Sequence, residues 1–421
     1  MNNAQGGKPK AESGEKTAAL KLLNAAAVRE RCARIMAAAE AGKAPNFTWH
    51  EDKLDICADY VLGVMRKRFP DLNVPIHSRR RHFEAGGIDR WGDLVAQRGL
   101  NGAERARVGI DLTIPSVLLD AGAGASWEYY DEAHHKGFSR SEGLGVASFD
   151  MFVNGAFAAD KSQPLRSDAS ALMQIVTDDI ERGFQVDANN PLVGVEGRVN
   201  LLRRLGAAAR VNPVVFGEPA RLGNLYDYLA ARANGGKIPA TLLLETLLHA
   251  LGPVWPGRLD IGGVDLGDCW KHPCAAADAS DPTDGLVPFH KLTQWLAYSL
   301  LEPLVDGGLE VTDLDQLTGL PEYRNGGLLL DFGVIVPRDA NLYTQALTVD
   351  HPAIVEWRAL TVIGLDRLAE RIRAKLGLDA ASLPLARVLE GGTWTAGRKI
   401  AAERRPGGAP PLNIVSDGTV F

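Results

Sequence analysis

The sequence predicts a mainly α protein with a few short strands, on three observations. Apolar residues recur at helical spacing in long stretches throughout the chain. No sustained alternation of strand and helix patterns appears, and no repeat of solenoid period is visible. The 45 glycines and 23 prolines supply frequent breaks, which makes the intervening segments defined loops.

Taken in order, residues 1–16 are polar without apolar periodicity and read as a disordered tail. Thr17 to Ala41 and Lys53 to Arg68 follow as amphipathic helices, the second with Leu54, Cys57, Tyr60, Val61 and Val64 on one side. His77, Arg79, Arg80, Arg81, His82 and Arg90 then surround a Gly-Gly pair; three adjacent arginines cannot share one helix face. This cluster is either an anion site or a solvated basic turn with a structural ion pair. Asp111 to Asp120 leads into the small-residue run Ala121 to Ala125 and an aromatic group holding Trp127 and Tyr130. The run lacks a Walker lysine and a full G-x-G-x-x-G, so it carries little phosphate-loop signal. Helices are expected over Leu144 to Val153, Leu172 to Phe184, Leu201 to Leu205, Ile238 to Leu251 and Glu356 to about Lys375, with short strands at Val334 to Val336 and Asn413 to Val415. Glu196 and Arg198 read as structural charges, His249 as a group at a helix C-terminus, and the closing Val-Phe as tucked against the body. The expected organisation is the tail 1–16, an N-terminal helical subdomain 17–185 with the basic and glycine-rich loops, and a second helical subdomain 186–421, packed as one body.

Composition narrows the function. With 421 residues, 46% of them hydrophobic, the chain can bury a large core. A net charge of −6 argues against a nucleic-acid partner, whose phosphates demand clustered Lys and Arg. Four cysteines in a chain of this length suggest reduced thiols and a cytoplasmic setting, and no apolar run reaches the roughly 20 residues of a membrane helix. Cys269, His272 and Cys274 lie close in sequence, but a structural zinc site needs four ligands and no second pair matches them, so no metal is expected.

The chemically informative stretch is Leu286 to Asp331. Phe289, Leu292, Leu296 and Leu300 recur helically on one face, and Pro303 is expected to end that helix. The opposite face groups Lys291 with Trp295 and Tyr298. Downstream, the loop Pro321-Glu322-Tyr323-Arg324 carries a carboxylate beside a guanidinium. A lysine and a glutamate at such positions form either a salt bridge that locks loop to helix or a catalytic pair.

Seven segments together resemble a known family: HSRRRHFEAGGIDRW, LLDAGAGASWEYY, RSEGLGVASFDMF, LVPFHKLTQWLAYSLLEP, LTGLPEYRNGGLLLD, LEGGTWTAGR and the closing SDGTVF. The sequence resembles the uracil-catabolism family of the fungal Urc and Urg pathways, a family of unknown function, over nearly the whole chain after the tail. That resemblance implies degradation of uracil through nucleotide and ribosylurea-type intermediates to urea and a three-carbon acid. NPLVGVEGRVNLLRRLG, PFHKLTQWL, DLDQLTGLPEYRNGGLLLDFGVI and VEWRALTV are more distantly similar to the queuosine 5′-phosphate salvage N-glycosylases. This second resemblance implies a helical DNA-glycosylase-like architecture. The lysine of that family's pattern falls on Lys291 and its carboxylate on Glu322, a glutamate where those enzymes carry aspartate.

The chemistry implied is cleavage of a C–N glycosidic bond through an oxocarbenium-like transition state. A fixed carboxylate, Glu322, would stabilise the developing charge and orient or deprotonate water. Lys291 would interact with that carboxylate, with a phosphate, or with the leaving group's carbonyl; a covalent Schiff-base role ranks below these. Trp127, Arg140, His290, Trp295, Tyr323 and Arg324 are the candidate substrate-binding residues. No cofactor is expected, and the partner is a ribosyl or nucleotide-derived small molecule rather than nucleic acid or membrane. The expected activity is hydrolysis of ribosylurea or its 5′-phosphate to urea. The alternatives are release of an intact pyrimidine from a nucleotide, or a non-catalytic binding subunit.

Overall fold

The computed structural model describes residues 8–120, 122–124, 126–255 and 259–415. It is mainly α; the described strands are two to four residues long and pair in two-stranded sheets. The expected tucked terminus, Ser416 to Phe421, lies outside the described residues, as do Ala121 and Ala125 of the glycine-rich run. Contacts divide the chain into two compact units, each discontinuous in sequence. One is drawn from residues 1–77, 256–294 and 314–421, the other from 78–255 and 295–313.

The first unit is built on the helix Pro352–Leu376. Proline at its first position needs no partner for a missing N–H, the His351 ring accepts from the Ala353 N–H at 3.2 Å, and Gly377 at φ 66° closes it in the left-handed region. Ala25–Glu40 and Leu54–Arg68 pack on this helix. Tyr323–Asp331 packs against Trp394–Arg404 and against the same long helix, where the Trp357 indole donates to the Gly326 carbonyl at 3.1 Å. A Cβ on Gly326 would stand 2.5 Å from Cζ2 of Trp357, so only glycine permits this approach. Phe47–Trp49 pairs antiparallel with Ile335–Pro337, and Cys269–Lys271 with Leu286–Pro288; Ala346–Thr348 runs parallel to Asn413–Val415.

The second unit centres on Gly102–Leu118, buried without a break from Val108 onward, with Arg140–Val153 against it. Its three consecutive arginines are not an open anion site. Arg79, fully buried, lies 3.0 Å from Asp120 and donates to Ser116 at 2.8 Å, Arg80 reaches Asp306 at 2.5 Å, and Arg81 reaches Glu302 at 2.5 Å. Arg198 is likewise internal, donating to the Leu119 carbonyl at 3.0 Å.

Three local expectations are corrected. A helix runs over Lys8–Leu20, beginning within the stretch 1–16 read as an unstructured tail and running past it; Lys, Ala and Glu are good helix formers even without apolar periodicity. The helix expected over Phe289 to Glu302 begins at Lys291, because Leu286–Pro288 is a strand and His290 sits at φ 48°. It then continues to Asp306 with Pro303 inside. A proline this near a helix end removes one hydrogen bond, and its ring packs against Gly109, where a Cβ would approach it to 3.2 Å.

Candidate functional site

In the first unit the site rests on a buried ion pair that joins two segments distant in sequence. The Asp268 carboxylate accepts from both Nη atoms of Arg358, at 2.7 and 2.8 Å, from the Trp270 indole at 2.7 Å, and from the backbone N–H of Lys291 at 3.0 Å. The Asp268 carbonyl also accepts from the Phe289 N–H at 2.9 Å. Burial by itself would raise this carboxyl, but the Arg358 guanidinium and the hydrogen bonds from Trp270 and Lys291 outweigh it and hold the group down to about 2. On its other edge Arg358 donates Nε–H to the Pro321 carbonyl at 3.2 Å and stacks over Phe289 at 4.1 Å. One guanidinium therefore anchors the start of the Lys291 helix, through Asp268, and the residue before Glu322, directly.

Glu322 is the N-cap of Tyr323–Asp331. Its carboxylate accepts from the Asn325 N–H at 2.6 Å and the Arg324 N–H at 2.8 Å, so the free donors of the helix terminus fix both oxygens. Glu322 is 7% and Lys291 8% exposed. Neither points into open solvent; the catalytic reading requires in addition that the two side chains reach the same pocket. Capping is a structural role that Glu322 fills in any case, and each oxygen keeps lone-pair capacity beyond its backbone donor.

The remaining candidates fall into two groups. Beside the pair, His290 is buried and its Nε2 lies 2.9 Å from the Leu22 carbonyl, while burial lowers its pKa; a neutral ring donating to that carbonyl fits both. Its left-handed backbone places the chain for the turn into the Lys291 helix, a strained conformation for a non-glycine residue. Tyr323 and Arg324 are half-buried. Arg324 donates Nε–H to the Tyr323 hydroxyl at 3.1 Å and lies 4.3 Å over the ring of Trp394.

Trp127, Arg140 and Trp295 belong to the second unit. Trp127 is 1% exposed, packs against Phe184, and donates its indole N–H to the Phe184 carbonyl at 2.9 Å. Trp295 is buried, with Arg79 at 5.9 Å and His82 edge-on at 6.2 Å. Arg140 is exposed at φ 56° and opens the helix Arg140–Val153.

Sequence reasoning missed Asp268, Arg358 and Trp394. Asp268 directly precedes the Cys269–His272–Cys274 loop, which drew the attention to metal ligands; among the described residues no group of three or more His, Cys, Asp or Glu is disposed to hold a metal. A signal for Arg358 existed: an arginine flanked by Trp357, Ala359 and Leu360 in a helix has no polar face to occupy and demands a buried partner.

The model of the family described as "Protein of unknown function (DUF1688)" matches residues 21–421. The chain belongs to this family. Two curated relatives match nearly its whole length. Uracil catabolism protein 4 of Lachancea kluyveri is 40% identical over 411 residues, 90% of this chain and 93% of that protein. Protein urg3 of Schizosaccharomyces pombe is 37% identical over 410 residues, 95% of this chain and 98% of that protein. No described helix of this DUF1688 chain is long and apolar enough to cross a membrane.

Proposed function

We propose that this protein acts in uracil catabolism as a metal-independent hydrolase that cleaves the N-ribosyl bond of ribosylurea or its 5′-phosphate, releasing urea. The observation that carries the reading is the common anchorage of Lys291 and the Glu322 loop on the Asp268–Arg358 pair, with both candidate side chains buried. The name of the Lachancea relative, a uracil catabolism protein, supports the pathway.

The C1′–N bond breaks as positive charge develops on the ribosyl carbon, and the Glu322 carboxylate, already held by two backbone N–H groups, stabilises that charge without rearranging. It orients the water whose oxygen bonds to C1′ from the opposite side. The proton that water loses balances the proton gained by the departing ureido nitrogen. Lys291 polarises the ureido carbonyl, so that charge on the leaving group meets a cation in a site shielded from solvent. Arg324, beside Glu322, takes the phosphate of a phosphorylated substrate.

The test is to incubate the purified protein with ribosylurea 5′-phosphate, uridine monophosphate and queuosine monophosphate, and to assay urea, free base and ribose phosphate. Urea from the first substrate is expected. Glu322→Gln keeps an oxygen to cap the helix and should lower kcat by two or more orders of magnitude with folding intact. Binding without release from any substrate, or full activity in Glu322→Gln, sinks the hydrolase reading.

A further inference from the structure

The second unit contains a cleft of about 680 Å³ that the chemistry above does not use. This volume is in the range of small-molecule sites. Its wall includes Asp150, in the last turn of Arg140–Val153, and Tyr129, from the strand Glu128–Asp131; the tyrosine hydroxyl donates to Asp150 Oδ2 at 2.7 Å. Burial raises the Asp150 carboxyl above its ordinary value against the lowering effect of that hydrogen bond. Among the described residues, Asp150 Oδ1 has no hydrogen-bond partner, and neither have the side chains of Asn154, Ser170 and Gln174, which share the lining.

The lining dictates what fits. Apolar side chains such as Met151, Ala158 and Ile175 form a comparable share of the wall and give no directional contacts. A carboxyl, two amides and a hydroxyl instead offer mixed donors and acceptors, the complement of vicinal hydroxyl groups, each of which donates once and accepts twice. Two cations complete the wall. Lys161 donates to the Gly155 carbonyl at 2.7 Å and keeps two further N–H donors, and Arg182 stands 4.0 Å from Asp179, a loose and exposed pairing that leaves its fork open to an anion.

We propose that this cleft binds a phosphorylated polyol of sugar-phosphate size, with Asp150 and the amides of Asn154 and Gln174 on its hydroxyls and Lys161 with Arg182 on its phosphate. The site lies within the second unit and stands whether or not Glu322 is catalytic.

Calorimetric titration of the full-length protein with ribose 5-phosphate, ribose and inorganic phosphate tests it. Saturable, Asp150-dependent binding of ribose 5-phosphate is expected, at least tenfold tighter than either ribose or phosphate. Asp150→Asn should weaken it tenfold or more, Lys161→Met with Arg182→Met should abolish the preference over ribose, and Glu322→Gln should leave the Asp150-dependent binding unchanged. Tyr129→Phe, which keeps the packed ring, guards against misfolding of the Asp150 variant and should weaken binding several-fold at an unaltered unfolding midpoint. Equal affinity for phosphate alone, no saturable binding, or binding indifferent to Asp150 and to the two cations overturns the proposal. Loss of all ribose 5-phosphate binding in Glu322→Gln, with the Asp150 variant unaffected, assigns the binding to the first unit and equally overturns it.

Discussion

Replacing Asp268 by asparagine tests the keystone of the first unit. The substitution preserves shape and one acceptor oxygen, but it strips the charge facing Arg358, whose side chain is 1% exposed and cannot rehydrate without unpacking. Breaking a buried ion pair by removing one partner costs about 3–5 kcal/mol, most of it from the charge left behind. Acid stability gives a second magnitude. The carboxyl is held at about 2 against an ordinary 3.8, and at about 1.4 kcal/mol per pH unit the gap corresponds to roughly 2 kcal/mol. Because the folded value is depressed, that contribution is fully present above pH 4 and is lost as pH falls through 2. Urea unfolding of wild type, Asp268→Asn, Arg358→Met and the double variant at neutral pH, followed by the same series down to pH 2, measures both effects. The double variant should be less destabilised than the sum of the single ones, and Asp268→Asn should flatten the acid limb. Strict additivity, or a loss under about 1 kcal/mol in Asp268→Asn, would refute the claim that this pair holds the Lys291 and Glu322 segments together.

Other expectations follow from single contacts. Gly326→Ala drives a methyl group to 2.5 Å from the Trp357 ring and should destabilise by about 1–3 kcal/mol in thermal unfolding. Trp394→Leu removes the ring under Arg324 at 4.3 Å; a loss of about 0.5–2 kcal/mol of positioning should appear as a raised KM for a phosphorylated substrate, with kcat less affected. Cys32, Cys57 and Cys269 are buried, and burial pushes their thiols far above the usual range, so at pH 8 they should resist a thiol reagent until the protein unfolds; the half-buried Cys274 should react first.

Much of the helical content was legible because burial of one face imposes a 3.6-residue period; Leu54–Arg68 and the short strand Asn413–Val415 stand where the pattern placed them. Pro303 was misread as a helix end although it lies only one turn before the end, and its ring packs on Gly109, a residue 194 positions earlier that no local rule consults. The second face of the Lys291 helix stood out because it pairs one cation with two large aromatics. Lys291, Trp295 and Tyr298 are all buried, so an amphipathic reading could not describe it. For the candidate site, the motif residues could be named but not their support. The Asp268–Arg358 contact spans 90 positions, and a one-dimensional pattern carries no term for which buried charge answers which. His290 illustrates the same limit, since nothing in PFHKL signals a left-handed backbone.

The interleaved make-up of the first unit has a consequence for biosynthesis. Ala25–Glu40 and Leu54–Arg68 leave the ribosome early, yet the helix they pack on, Pro352–Leu376, is made some three hundred residues later. The second unit has most of its own chain in the meantime, through residue 255, and lacks only 295–313. The apolar faces of the opening helices must therefore wait exposed through most of translation, at roughly 5–20 residues per second. Nascent chains stalled near residue 340 should recruit hydrophobic-segment chaperones through their first seventy residues, and that occupancy should end once the chain past Leu376 has emerged.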